Sequence, residues 1–597
     1  MDYHENYYKV VVMELNSFCL CKMNNVNVIN LRRRKDYFSA AVHCASASLN
    51  KTQELINMAN HIDISKFKRE VFTIHGLHMN MHGKHKLAAI IVNSTLKQFY
   101  SWRLAVRNGF SILHNGGKLF QQYIVDAWCK VEANQLWFIR QNQRSLRVEN
   151  YRGLRRYLEE RARALGARVG KLVVLPAMTV GSPRYMQARY REAMAIVARY
   201  GKPDLFITFT TNPNWPEIQE NLEHHQRFEH RPDLVCRVFK SKFTQFLDDL
   251  NKRQVLGVTQ TYTYVIEFQK RGLPHAHVLI TMRPEDKIMI DNVDDIVCAE
   301  FPDRDMDPTL YDIIAEHYVH RPCGANNPVA PCMRDGKCSK GYPMSFNDET
   351  IIDHVRRPVY RRRRDGRPNS SRRGNGNRQP KDCAIQPVLC KKIHVPHQFR
   401  SLRHTLEHEV PLQVCTQGRR LYHNSSQCDQ TLDWDEIQNY LDCRYVSSTE
   451  AAYRLMTFPL ADRSHSVMTL PVHLENEQAI LFDDDLPEED VAAAVDKPTK
   501  LMAWFILNNT DVEARQLTYV EIPEHYTWNN REAVWEKRRQ ISKTIGQLME
   551  VTPTDVELYH LRMLLHHVRG AVSFESIRDV HGTVFPTYFL TLAKKWG

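Results

Sequence analysis

The sequence predicts an α+β fold in which a central antiparallel sheet has helices packed on one face. Three features of the 597-residue chain indicate this fold class. Thr261–Met282 is typical of a strand, a turn and a second strand, with apolar and polar residues alternating along the first, and Leu205–Phe209 is a short, mainly apolar strand. Leu119–Asn134 and Phe239–Val255 instead carry apolar residues at helical spacing.

Two further helices are predicted before the first strand. Arg184–Tyr200 has helical spacing and is followed by Gly201 and Pro203, which end helices. Arg144–Leu165 is a strongly basic helical pattern with interleaved tyrosines. Such a surface can bind single-stranded DNA through phosphates and bases, and it can equally be an ordinary solvated face. Residues 1–92 have no interpretable pattern.

The second strand of Thr261–Met282 carries two histidines. Lys270–Pro274 forms the turn, and His275 and His277 follow it two positions apart. Side chains at i and i+2 of a strand point to the same face, so both imidazoles are directed to one place. Imidazole is the commonest metal ligand near neutral pH, and two of them form half of a site for a divalent ion. The alternative is a pair of half-buried histidines in a sheet.

A family resemblance is carried by the string EFQKRGLPHAHVLI, residues 267–280. Two histidines separated by one hydrophobic residue resemble the HUH signature of rolling-circle nucleases, and the longer string resembles the Rep domain of Helitron transposases. The resemblance extends over roughly 99–365 and 431–597. It implies an HUH/Rep-type core that holds Mg²⁺ or Mn²⁺ through His275 and His277. It also implies a nuclear protein that nicks and joins single-stranded DNA through a phosphotyrosine intermediate.

The resemblance also implies a third metal ligand and contacts with DNA. Glu267 is the first candidate ligand and Gln269 the second, because both directly precede the turn. Four residues are expected near DNA: Asn212, Trp215, Lys270 and Arg271. For Trp215, a turn with a packed indole is an equal alternative.

A second group of candidate metal ligands lies within residues 317–338. It consists of His317, His320, Cys323, Cys332 and Cys338. Three thiols and one imidazole suit tetrahedral Zn²⁺, and the surrounding glycines and prolines let a chain wrap an ion. The spacing lacks the CxxC of common zinc sites. A structural zinc, held by His320 and the three cysteines, and cysteines without a metal both stay open.

The catalytic tyrosines of the resembled family are missing from the expected place. Relatives have a motif resembling KYLYKYVYKG, in which two tyrosines four positions apart share one helix face. Residues 410–418 are VPLQVCTQG instead. Codons permitted for these nine residues, read one base later, spell YLYKYVHKG. The same offset gives family-like sequence at Cys383–Val388 and Val395–Leu402.

We therefore hypothesise that residues from about 368 to 430 are a frame-shifted form of the tyrosine region. Their arginines, prolines, glycines, serines and asparagines cannot bury a core, so we expect this segment to be largely disordered. The base sequence of the transcript over these codons tests the hypothesis. Without the motif, Tyr440 and Tyr445 are the fallback nucleophiles, and the alternative is that both are packing residues.

Composition limits the partners. Lys plus Arg number 81 against 68 Asp plus Glu, and the net charge of +13 favours polyanions without identifying nucleic acid. We expect no membrane contact, because no run of about 18 apolar residues is present. ATP is not expected either, since the GxxxxGK[ST] loop is lacking. The 14 cysteines are spread along a large chain, which favours a reducing, intracellular compartment.

These features predict the following division of the chain: residues 1–92, unassigned; 93–200, a helical DNA-contacting region; 201–300, the Rep core; 301–365, a Cys/His-rich extension; 366–430, the frame-shifted segment; and 431–597, a region that links Rep to a helicase, with the helicase itself absent. Two functions are compatible with this plan. The first is a rolling-circle DNA endonuclease, and the second is a catalytically inactive transposon relic that binds DNA or metal.

Overall fold

The computed structural model describes residues 96–143, 162–164, 168–269, 272–297, 299–317, 320, 323–325, 327–342, 344–352, 358–363, 397–401, 427–428, 431–442, 445–478 and 497–596. The expectations for residues 1–92, for Lys270 and Arg271, and for most of 144–165 and 366–430 lie outside these residues.

The helices of the described residues are α1 Leu96–Arg103, α2 Lys118–Gln141, α3 Pro183–Tyr200, α4 Pro216–Gln219, α5 Pro232–Asn251, α6 Val293–Ile296, α7 Pro308–His317, α8 Glu436–Asp442, α9 Ser448–Leu455, α10 Lys500–Thr510, α11 Ile522–His525, α12 Val556–Leu565, α13 Phe574–Arg578 and α14 Tyr588–Trp596. Short 3₁₀ helices span Phe228–His230, Pro284–Asp286 and Ala514–Gln516.

The strands are β1 Arg168–Val173, β2 Leu205–Thr210, β3 Thr259–Phe268, β4 Pro274–Met282, β5 Met333–Arg334, β6 Lys337–Cys338, β7 Ile351–Ile352, β8 Pro358–Val359, β9 His397–Ser401, β10 Gln427–Cys428, β11 Thr431–Asp435, β12 Ala461–Arg463, β13 Ser466–Leu470, β14 Tyr526–Asn529, β15 Val534–Lys537, β16 Thr544–Leu548, β17 Asp579–Val580 and β18 Thr583–Val584. The mixture of helices and sheets confirms the predicted α+β class.

The chain divides into two compact units. The first comprises residues 1–138, 213–238 and 446–458, and its described part is helical. Tyr100, Phe120 and Trp128 are buried there. The guanidinium of Arg454 lies 5.5 Å from the centre of the Trp128 ring, a favourable stacking of a cation on an aromatic face.

The second unit comprises residues 139–212, 239–445 and 459–597, and a five-stranded antiparallel sheet organises it. The strand order is β12-β3-β4-β2-β9, which places β4 at the centre. All nine residues of β4 are buried. This central position explains why the strand is almost continuously apolar apart from its histidines and Thr281, since a strand covered on both faces needs no polar side.

Helices cover both faces of this sheet, so the expectation of helices on one face is wrong. On the first face, Phe243 of α5 packs edge-to-face on Phe209 and Tyr264, with ring centres 5.3 and 4.9 Å away. On the opposite face, Ala193 of α3 lines a cavity together with Val265 and Leu279. The physical reason is the burial of β4, which a single layer of helices cannot provide.

The other sheets of the second unit are small. Strand β1 runs parallel to β11, whose other edge pairs with β10. A separate C-terminal core surrounds Trp504 and includes Leu470 from β13 and Leu548 from its parallel partner β16. Strands β9 and β10 lie within the segment that the frame-shift hypothesis concerns. None of the helices in the described part of the chain is both long and apolar enough to cross a membrane.

Candidate metal centre

The register of the central sheet places His275 and His277 among polar side chains of both neighbouring strands. His275 lies opposite Glu267 of β3 and Thr210 of β2, and His277 lies opposite Thr208. Because side chains alternate along a strand, these five residues share one face. Tyr264, Phe209 and Ala276 point to the other face, where α5 packs. The sheet therefore separates a polar cluster from an aromatic core.

The three candidate ligands converge within this cluster. One possible ligand atom from each of Glu267, His275 and His277 lies within 4.8 Å of those of the other two. The carboxylate Oε1 of Glu267 is 2.8 Å from Nε2 of His277, its diagonal neighbour. The two imidazole rings are nearly perpendicular, with centres 4.7 Å apart. This donor set of two imidazoles and one carboxylate fits a divalent cation.

Threonines of β2 contact the opposite side of each imidazole. The hydroxyl of Thr210 is 2.7 Å from Nδ1 of His275, and that of Thr208 is 3.4 Å from Nδ1 of His277. In His275, a Thr210 hydroxyl that accepts from Nδ1–H leaves Nε2 with its lone pair, which is the tautomer that binds metal through Nε2. In His277, Nε2 instead donates to the carboxylate of Glu267. The ring of Phe206 stacks on His277 at 5.4 Å and further fixes its orientation.

Burial keeps His275 uncharged at neutral pH. Its desolvation, together with the proximity of His277, lowers the pKa of His275 to about 4, although the carboxylate of Glu267 acts in the opposite direction. The neutral imidazole is the form that binds metal, so no proton has to be removed from this side chain at pH 7.

The turn before β4 holds Gln269 beside the same histidine. Gly272 has a φ of 80°, a conformation that favours glycine, and its amide donates to the carbonyl of Gln269. The side-chain nitrogen of Gln269 is 3.3 Å from Nδ1 of His275. Gln269 therefore contacts the ring atom that faces Thr210, whereas Glu267 contacts a ring Nε2.

The residues expected near DNA differ in how far they are exposed to solvent. Asn212 follows β2 and is partly exposed, whereas Trp215 is only 1% exposed. An indole buried to this extent has no free face for a base, so Trp215 is the packed residue of the alternative interpretation. Lys270 and Arg271 lie outside the described residues.

The fallback tyrosines also differ in their surroundings. Tyr440 is buried in α8, and its hydroxyl donates to the carbonyl of Val180 at 3.0 Å. Tyr445 is 79% exposed. An exposed hydroxyl can approach a substrate, and a buried, hydrogen-bonded one cannot do so without rearrangement.

The Cys/His-rich segment forms a second cluster. His320, Cys323, Cys332 and Cys338 come together, while His317 is the last residue of α7. Burial opposes ionisation of the Cys338 thiol, but the backbone amides of Tyr342 and Lys340 donate to it and lower its pKa.

Sequence reasoning missed Thr208 and Thr210. They precede the first predicted DNA contact, Asn212, and alternate with the buried Ile207 and Phe209. Their alternation was a signal that both share one face of the strand. Only the pairing of β2 with β4, however, shows that this face is the one with the histidines.

Comparison with known families matches residues 99–280 to the Helitron helicase-like domain at the N-terminus. This part of the chain is similar to the Helitron helicase-like domain. It contains β2, β3, Glu267 and both histidines of β4, and it ends two residues before β4 does. No curated protein matches the chain. The resemblance is thus confirmed for residues 99–280, and beyond them it stays a prediction.

Proposed function

We propose that Glu267, His275 and His277 form the metal centre of an HUH-type DNA endonuclease, and that the chain derives from a rolling-circle transposase. The observation that carries this proposal is the convergence of the three side chains on one face of the central sheet, within the residues that match the Helitron helicase-like domain. A divalent ion and a DNA strand are the ligands that this arrangement suits. The nuclear location stays a proposal with it.

The two imidazoles would hold Mg²⁺ or Mn²⁺ through Nε2, and Glu267 would supply a carboxylate oxygen. The chemistry that such an ion supplies is polarisation of a phosphate oxygen. Thr210 would hold the ring of His275 in the binding tautomer, and Thr208 would restrain the ring of His277. Gln269 contacts Nδ1 of His275, which supports a role in positioning that ring. Glu267 instead contacts an Nε2 atom, which is the ring atom that would bind the ion, and this supports Glu267 over Gln269 as the third ligand.

The reaction proposed for this site transfers a phosphoryl group to a tyrosine. The phenolic hydroxyl gives up its proton as its oxygen bonds to phosphorus, the bond from phosphorus to the 3′ oxygen breaks, and the released 3′ oxygen takes up a proton to become a hydroxyl. Among the two fallback tyrosines, the exposure of Tyr445 supports it over Tyr440 as the nucleophile.

The proposal is tested with circular single-stranded DNA, which becomes linear after one cut at any sequence. We expect the full chain to produce linear DNA with Mn²⁺ and none with a chelator, and to leave protein attached to the DNA after denaturation. The variant with His275→Asn and His277→Asn should do neither. The matched control changes the exposed pair His224 and His225 to asparagine and should leave cleavage unchanged.

Calorimetry with Mn²⁺ separates metal binding from cleavage. The double histidine variant should lose Mn²⁺ binding at this site, and Glu267→Gln should weaken it more than Gln269→Ala does. Cleavage by the double histidine variant at the wild-type rate would refute the proposed function.

The second candidate function is a relic that binds DNA and metal without cutting. It is supported by the environment of Tyr440, whose hydroxyl is already bound to the Val180 carbonyl. It would be established if the wild-type chain binds Mn²⁺ through the histidines and single-stranded DNA but yields no linear product.

A further inference from the structure

The Cys/His cluster lies outside the residues that match the Helitron helicase-like family and is unrelated to the proposed cleavage chemistry. Its geometry centres on one imidazole nitrogen. Nε2 of His320 is 3.4 Å from Sγ of Cys323 and 3.5 Å from Sγ of both Cys332 and Cys338. All four ligand atoms lie within 4.8 Å of one another.

Hydrogen bonds alone do not account for these three contacts. An imidazole Nε2 carries either one proton or one lone pair, so it can form one good hydrogen bond and not three. A tetrahedral Zn²⁺ with bonds of about 2.3 Å to sulfur and about 2.0 Å to nitrogen separates the nitrogen from each sulfur by about 3.5 Å. The observed separations are therefore those of ligands arranged around a common cation.

A tight hairpin brings two of the cysteines to this position. Strands β5 and β6 are joined by Asp335 and Gly336, whose φ angles of 49° and 73° are both positive. A two-residue turn of this kind suits the twist of a hairpin and favours Asp-Gly. The amide of Ser339 also donates to the carbonyl of Cys332 at 2.7 Å, which places Cys332 beside Cys338.

The imidazole is oriented by an aromatic neighbour. The rings of His320 and Tyr342 are parallel within 7°, with centres 4.0 Å apart. This stacking fixes the plane of the imidazole while Nε2 faces the sulfurs. The ligands are thus placed by contacts that do not involve the cation, so its binding would need little rearrangement.

The segment has little hydrophobic core of its own. Among its described residues between His320 and Tyr342, Ala330 is the one apolar residue with a buried side chain. Short chains that cannot bury enough apolar surface commonly gain stability from a metal ion or disulfides. A cation would therefore stabilise this part of the fold.

We propose that His320, Cys323, Cys332 and Cys338 bind one structural Zn²⁺. Four protein ligands complete a tetrahedral shell and leave no position for a substrate, so the site is structural and not catalytic. Binding through thiolates releases the thiol protons to solvent. The ion closes the β5–β6 hairpin onto His320 and stabilises the extension that follows α7.

Metal analysis of the purified full chain tests this site. We expect one zinc ion per chain after purification under reducing conditions, and a Co²⁺-substituted protein with the visible absorption of a tetrahedral site and sulfur-to-cobalt charge transfer. Cys332→Ser combined with Cys338→Ser should remove the ion. Cys129→Ser, which changes an exposed cysteine outside the cluster, should retain it.

Two further variants address misfolding and the separate cleavage site. His320→Cys keeps four ligands, so it should retain zinc and strengthen the sulfur-to-cobalt band even if the double serine variant fails to fold. The variant with asparagine at His275 and His277 should also retain zinc. The inference is overturned if the wild-type chain binds no Zn²⁺ on titration, if the Cys332/Cys338 variant keeps its ion, or if mass spectrometry finds a disulfide between cluster cysteines in the reduced sample.

Discussion

The two histidines of β4 differ in the strength of their contacts to β2. The hydroxyl of Thr210 forms a short hydrogen bond with Nδ1 of His275, at 2.7 Å. The hydroxyl of Thr208 is 3.4 Å from Nδ1 of His277, which is a long hydrogen bond. Such contacts on the far side of a metal-binding imidazole select its tautomer and restrain its ring. His275 is therefore held mainly by Thr210, whereas His277 is held mainly by Glu267 and the stacked Phe206.

At this scale we predict unequal effects of two matched substitutions. Thr210→Val keeps the shape of the side chain but removes the partner of Nδ1, so Mn²⁺ affinity should fall by roughly 10- to 100-fold. Thr208→Val should have a smaller effect because its contact is longer. Calorimetric titration of both variants measures the difference, and equal affinities would contradict the assigned role of Thr210.

The elements that support the site are β4 and helix α5 behind it. Phe239, Phe243 and Phe246 of α5 surround Phe209, with ring centres 5.2 to 5.6 Å from it. All four side chains are fully buried. Phe209 is also the residue between Thr208 and Thr210, so the aromatic cluster on one face fixes the strand that contacts the histidines on the other.

Truncation of this cluster should therefore loosen the central sheet. Phe243→Ala removes a ring that contacts Phe209 and Tyr264, and a buried Phe→Ala change costs about 3–5 kcal/mol. Hydrogen exchange of the peptide spanning β4 should become faster. Phe110→Ala changes a residue that is 75% exposed and should leave exchange at wild-type rates. Unchanged protection of β4 in the Phe243 variant would show that α5 does not support the sheet.

At the scale of the whole molecule, buried uncharged histidines make stability depend on pH. His465 is 6% exposed and lies beside the Tyr200 ring. Burial, with a contribution from the charge of Lys543, lowers the pKa of His465 to about 4. An unfolded histidine titrates near about 6.5. Between these values the unfolded chain binds the proton and the folded chain does not. The contribution of His465 to stability is therefore fully present above about pH 6.5 and is lost progressively as the pH falls to about 4.

We predict that His465→Asn reduces this acid sensitivity. The protonation of this one histidine should lower the free energy of unfolding by about 1–2 kcal/mol between pH 7 and pH 5. Urea unfolding at both pH values should show a smaller difference for the variant than for the wild type. His581→Asn is the control, because His581 is exposed and asparagine tolerates its φ of 54°. If the free energy of unfolding of the His465 variant fell between pH 7 and pH 5 by as much as that of the wild type, His465 would not contribute to the acid sensitivity.

Local periodicity let the sequence predict many of the elements. The alternation in 261–268 gave β3, the helical spacing in 119–134 and 184–200 gave α2 and α3, and the two-residue spacing of His275 and His277 put both on one face. The family resemblance was carried by residues 267–280, which overlap β3 and β4. These features depend on residues that are close in the chain, and strand and helix geometry then fixes their directions.

The sequence alone determined that two imidazoles of one strand share a face and that four potential zinc ligands lie close along the chain. Only the tertiary structure decided what surrounds them. Thr210 and His275 are 65 positions apart, and their contact depends on the pairing of β2 with β4. Burial of Trp215 and the second layer of helices depend on the same kind of distant packing. Such contacts arise from strand register and close packing between remote segments, neither of which leaves a local pattern in the sequence.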